Sequence, residues 1–352
     1  MKLDLFKNGR LTQNQSRYFD MWRGGSALVV VIAHMCQIYR SSFHDVFVLI
    51  SAALAGGAVM AFFALSGFFI QKSLSRCVVG NSVNWRSYFQ SRADRIVPPF
   101  IISIALTVAL WILAPYVFAS GSHLFTLPND RAEFSLDGLV YTLFFVNNFF
   151  GPALSANGPL WSLAYEVWYY IFACLFALAY VSDRRVIVIA LPLFFLLVVL
   201  DVFFAILGLI WLGGFFVSMI HSNQPKLPNM LMRMPFGVVP ALLLILIAFA
   251  PPRFTGKIAL LFQLSFGVWM VFHMIRALAR PVLPEWRPLV LSGTFSYSLY
   301  VLHFPIMLFL YGISTTLAFP SLFVVLAICM AIGKPIESLR LPWKAFGATK
   351  SP

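Results

Sequence analysis

The chain has 352 residues, 61% of them hydrophobic, 16% aromatic and only 11% charged. Soluble chains are about a quarter charged, so most of this sequence does not meet water, and a soluble enzyme is excluded. The formal charge of +13 suggests nucleic-acid binding, but the cytoplasmic loops of membrane proteins collect Lys and Arg, so no nucleic acid is expected as a partner.

Apolar stretches of about 20 residues recur from one end to the other, the pattern of an all-α polytopic membrane protein. A membrane β-barrel would show segments of about ten alternating residues, and none is present. The first apolar run is long and lacks a small-residue cleavage site, so it does not read as a removable signal peptide. In chain order, spans are predicted at 23–41, 46–70, 97–119, 159–181, 186–200, 203–220, 236–250, 258–279, 289–312 and 315–333. The segment 137–158 joins an apolar stretch to the helix-breaking "VNNFFGPALSANGP" and is read as re-entrant or peripheral.

Charge tests this arrangement. With ten spans and both termini cytoplasmic, all of the 25 basic residues fall inside except Arg40, Arg131, Arg253 and Lys257. Counting 137–158 as a full span moves basic loops to the wrong side. The domain reading is therefore a cytoplasmic segment 1–22, a transmembrane domain 23–333 and a cytoplasmic tail 334–352. Cys36, Cys77, Cys174 and Cys329 are scattered, which suggests neither a disulfide framework nor a metal site.

Ionisable side chains inside a span are costly and point to function. His34 lies eleven residues past Arg23, about 16 Å along a helix and near the midplane. Glu166 lies about 10 Å into a span that starts outside, and His303 about 20 Å into one that starts inside. The three occupy one slab, which allows a shared cavity. Each also has a structural reading: a core His bonding a backbone carbonyl, an outer-half carboxylate, a hydrogen bond within "SYSLYVLHFP". His273 reads as structural or interfacial.

At the inner face, "SRADRIVPPF" puts Arg92 and Arg95 on one helix face, with Pro98 and Pro99 marking the start of the third span. Two guanidiniums on one face suit phosphate, although plain positive-inside anchoring gives the same pattern. Ser66 and Gly67 in "FFALSGFFI" read as close helix packing. In "GPLWSLAYEVWYY", Trp161 and Ser162 precede Glu166, with Ser162 one turn away and placed to orient the carboxylate.

An imidazole supported by a carboxylate activates a hydroxyl for attack on a carbonyl. The same residues also suit a proton-coupled transporter or a flippase of a lipid-linked sugar, with His34 and Glu166 relaying protons.

Six motifs in order resemble the acyltransferase-3 family of membrane-bound O-acyltransferases. They are the Arg23 and His34 pair in "RGGSALVVVIAH", "FFALSGFFI", Arg92 and Arg95 before Ile96 and Pro98, "WSLAYE", "SYSLYVLHFP" and "GKPIESLR". The match covers nearly the whole chain and is closest to standalone members without an appended extracytoplasmic domain. The resemblance implies ten core helices, and an acyl-CoA, with acetyl the expected group, as cytoplasmic co-substrate without a metal. It further implies a carbohydrate or glycolipid acceptor, membrane lipid as surroundings and the inner membrane of a bacterium; homo-oligomerisation stays open. His34 is then the general base or transient acyl carrier, Glu166 its partner, and Arg23, Arg92 and Arg95 the coenzyme A site. Ser162, Trp161, Tyr297, Tyr300 and His303 are cavity candidates.

Overall fold

The computed structural model describes residues 4–123, 125–127, 130–132, 134–224 and 234–342. Among them, eight helices are long and apolar enough to cross a bilayer, and sheet is confined to two small hairpins. The chain is an all-α polytopic membrane protein. Two of the ten expected spans are short helices, α6 (Ile187–Leu200) and α8 (Val238–Phe249). At 1.5 Å per residue they measure about 21 and 18 Å, against a hydrocarbon core of about 30 Å.

The chain divides into two compact units, Met1–Ser75 with Val202–Thr294, and Arg76–Asp201 with Phe295–Pro352. The first unit is built on α1 (Gln13–Ile38), most of α2 (Asp45–Cys77), α7 (Val202–Asn223), α8, α9 (Pro252–Leu278) and the short α10 (Arg287–Gly293). The expected start at residue 23 is ten residues late. Thr12 and Gln15 form a reciprocal capping box, which satisfies N–H groups that a helix start otherwise leaves open. α1 therefore begins ahead of the expected span, and Arg23 sits well inside the helix.

Close packing at Gly67 is found as expected. A Cβ there would meet the Trp211 carbonyl, and one on Gly214 would meet the Ala64 carbonyl. α2 and α7 thus touch backbone to backbone, the contact small residues permit in membranes, and Ser66 Oγ accepts from Trp211 Nε1 at 3.3 Å.

The second unit holds α3 (Trp85–Val117), α4 (Leu136–Leu143), α5 (Trp161–Val181), α6, α11 (Ser296–Ile313) and α12 (Ala318–Ser338). Pro98 and Pro99 lie inside α3, which begins at Trp85 and runs through both. Each proline removes one helical hydrogen bond, a loss that membrane helices absorb through their neighbours. The segment 137–158 holds no helix long enough to cross: after eight residues of α4 it turns irregularly into a 3-10 turn, Ser155–Leu160, that leads into α5.

The expected span 289–312 is broken between α10 and α11. The reason lies 39 residues downstream of Ser298, whose N–H donates to Glu337 Oε1 at 2.8 Å. A carboxylate satisfies an open N–H at the start of α11 and faces the positive end of its dipole. The chain can therefore begin a new helix there.

Candidate functional site

α3 and α5 set the geometry of the second unit's polar centre. Arg92 and Arg95 are both helical and half-buried, three residues apart and so on neighbouring positions of one face. Arg92 Nε and Nη2 both donate to Ser91 Oγ at 3.2 Å. Four residues before Arg92, the fully buried Tyr88 donates its hydroxyl to the Tyr170 carbonyl at 3.1 Å, tying α3 to α5. The Tyr170 hydroxyl in turn donates to Glu166 Oε1. Both guanidiniums and the Glu166 carboxylate are electrostatic neighbours of this phenol. Tyr170 thus bonds the expected catalytic carboxylate and feels the field of the expected phosphate-binding pair, and no motif singled it out.

Ser162 does not serve Glu166. Its Oγ pairs with the Tyr300 hydroxyl at 2.7 Å, and Tyr300 donates to the Pro159 carbonyl at 2.9 Å. One turn of helix brings Ser162 near Glu166 in sequence, but α11 supplies a closer partner. Tyr297, one turn before Tyr300, donates weakly to the Ile96 carbonyl beside Arg95, at 3.4 Å. His303 is fully buried and its Nδ1 lies 2.9 Å from the Leu299 carbonyl. A carbonyl only accepts, so Nδ1 carries a proton. Trp161 is half-buried at the first turn of α5, where its carbonyl accepts from Asn148 Nδ2 at 2.8 Å.

In the first unit, Arg23 Nη1 meets Asp20 Oδ1 at 3.3 Å, one turn back on α1. His34 is half-buried on the same helix. Eleven residues at 3.6 per turn close three turns and about 20°, so Arg23 and His34 share a face. His273 has the structural role expected: Nε2 lies 2.7 Å from the Tyr18 hydroxyl, and the ring packs against Trp22 and Trp269.

One polar group of this unit escaped the sequence reading. Lys72, only 6% exposed, donates to the Gly9 carbonyl at 2.7 Å and to Ser222 Oγ at 3.0 Å, with His221 Nδ1 at 3.1 Å. Gln71 holds the Leu5 carbonyl alongside. In sequence Lys72 passes for one more cytoplasmic anchor, because its partners lie about 60 and 150 residues away. All four cysteines are free thiols, and no metal-ligand grouping occurs among the described residues.

Ionisable groups within apolar spans, among them a carboxylate bonded to a phenol that feels two guanidiniums, point to function rather than to packing alone. The sequence pattern of the acyltransferase-3 family, described as an acyltransferase domain, matches residues 16–334. The chain belongs to that family and is a membrane acyltransferase. Comparison with curated proteins and with solved structures gives no match.

Proposed function

We propose that the protein is an O-acyltransferase of a bacterial inner membrane, with both termini cytoplasmic, that takes an acetyl group from acetyl-CoA and passes it to a hydroxyl of a glycan, polysaccharide or glycolipid. The observation that supports this reading is the Tyr170–Glu166 hydrogen bond in the field of Arg92 and Arg95, within a family of acyltransferases. Two guanidiniums on one helix face suit the phosphates of coenzyme A, and Arg23 is assigned to the same cofactor.

His34 acts as general base. It takes the proton of the attacking hydroxyl while the oxygen adds to the thioester carbonyl. The C–S bond then breaks, and the proton passes to the departing thiolate. Glu166 is the carboxylate that supports the charged imidazole. Trp161, Ser162, Tyr297, Tyr300 and His303 are assigned to the wall of the reaction cavity.

The test is thiol release from acetyl-CoA by purified protein, with a mixed bacterial glycan as acceptor. Glycan-dependent release by the wild type, lost in His34→Ala at an unchanged unfolding midpoint, supports the reading. If no acyl-CoA of any chain length binds, the donor assignment falls, and with it the enzyme proposed here.

A further inference from the structure

The loop that precedes α5 carries a buried side chain the fold does not use. Asn147 is 0% exposed, and neither its Nδ2 nor its Oδ1 has a hydrogen-bond partner. Buried amides are almost always paired, and an unpaired one weakens the fold. The flanking backbone is strained as well, since Phe145 and Asn148 have φ of 56° and 71°, a region that residues with a Cβ seldom occupy. Such strain persists where neighbours enforce it and gathers at ligand sites. Here the enforcing contacts are visible. Trp168 Nε1 donates to the Phe145 carbonyl at 2.9 Å, and Asn148 Nδ2 donates to the Trp161 carbonyl at 2.8 Å. They hold the loop along the first two turns of α5.

Those turns present a polar and aromatic cluster. Tyr165 donates its hydroxyl to Asp201, and Asn148 is held at the same turn by the Trp161 carbonyl. The Tyr165 ring is framed by Trp161 at 5.8 Å and Phe149 at 5.5 Å, both nearly edge-on. Trp161, Asn148 and Asp201 are only half-buried. Trp161 begins α5 and Asp201 ends α6, and Arg184 and Arg185 lie between the two helices at their other ends. By the positive-inside rule the cluster is at the end away from the cytoplasm.

The chemistry selects one class of ligand. A carboxamide offers a donor and an acceptor side by side, and a carboxylate accepts from two neighbouring hydroxyls. An anion would be repelled by Asp201, and a hydrocarbon would leave Asn147 unpaired. A sugar ring answers both, with hydroxyls at its edge and a C–H face for an aromatic ring. We propose that Asn147, Asn148, Tyr165 and Asp201, framed by Trp161, form the subsite that binds the acceptor sugar, with Asn147 turning to meet a hydroxyl when the ligand arrives. This rests on the acyl-transfer reading for the reaction, but not for the binding.

The test uses the full chain in a detergent without a sugar headgroup. Asn147→Leu is expected to keep or raise the unfolding midpoint, because it deletes an unpaired buried amide. In the thiol-release assay it should raise the glycan KM at least tenfold and change the acetyl-CoA KM less than twofold; Asp201→Asn should show the same split. A lowered midpoint with both KM values moving together makes Asn147 structural and overturns the proposal, as does an unchanged glycan KM. If the wild type releases no thiol, acyl transfer fails separately, and quenching of Trp fluorescence by the glycan preparation decides. Quenching seen in wild type and lost in Asn147→Leu supports the subsite, whereas quenching that persists in the variant, or is absent from both, refutes it.

Discussion

Asn157 and Pro305 are 148 residues apart and solve one problem together. Pro305 lies inside α11 and has no N–H to give to the Val301 carbonyl one turn back. Val301 and Asn157 are both fully buried, and Asn157 Nδ2 donates to that carbonyl at 3.0 Å. The amide of one segment thus replaces the missing N–H of another. In Asn157→Leu the carbonyl is orphaned, at about 1–3 kcal/mol. Part of this is recovered, because Asn157 Oδ1 is itself buried without a partner and disappears with the substitution. The net loss expected is about 1–2 kcal/mol. In a Pro305→Ala background the new N–H takes the carbonyl, so the same substitution should be neutral or stabilising. A double-mutant cycle read by SDS-titrated unfolding in detergent should therefore show a coupling of about 1–3 kcal/mol. Equal losses from Asn157→Leu in the two backgrounds would refute the reasoning, since the bond would then have nothing to do with the proline.

Other substitutions test neighbouring steps. Gly67→Val places a Cβ against the Trp211 carbonyl and should destabilise by about 1–3 kcal/mol or more, as overpacking does. Gly256→Ala, in α9 with nothing within 4 Å of the added carbon, should stabilise by up to about 1 kcal/mol in the same unfolding assay. Glu337→Leu removes the acceptor for Ser298 N–H and should fray the start of α11, seen as faster amide exchange from residue 296 to 299. Glu337→Gln should do so less, because its amide oxygen still accepts. Arg95→Lys should raise the acetyl-CoA KM at constant stability, because an ammonium cannot replace a planar fork on phosphate; an unchanged KM would return Arg95 to charge anchoring alone.

What was legible in the sequence divides by the distance between partners. The helical class, the close approach at Gly67 and the shared face of Arg92 and Arg95 depend on residues within one apolar run or one turn, where composition and period act directly. The break before α11 was invisible because the carboxylate that permits it comes from α12. Ser162 was assigned to Glu166 on helical spacing, but Tyr300 takes it, 138 residues away. A polar residue in an apolar span announces its own desolvation cost, and that cost is what drew attention to Glu166 and His303. It does not name the partner. Tyr170 illustrates the gap: in "EVWYY" it is one aromatic among several, yet its hydroxyl joins Glu166 to the field of two arginines. A Tyr170→Phe variant isolates that hydroxyl without emptying the site. If Tyr170 organises the carboxylate, the variant should lose thiol-release activity about tenfold, a change of about 1.4 kcal/mol in transition-state stabilisation, while its unfolding midpoint moves little. Loss of stability with activity intact would assign the phenol to packing, and Glu166 would then be organised by other contacts.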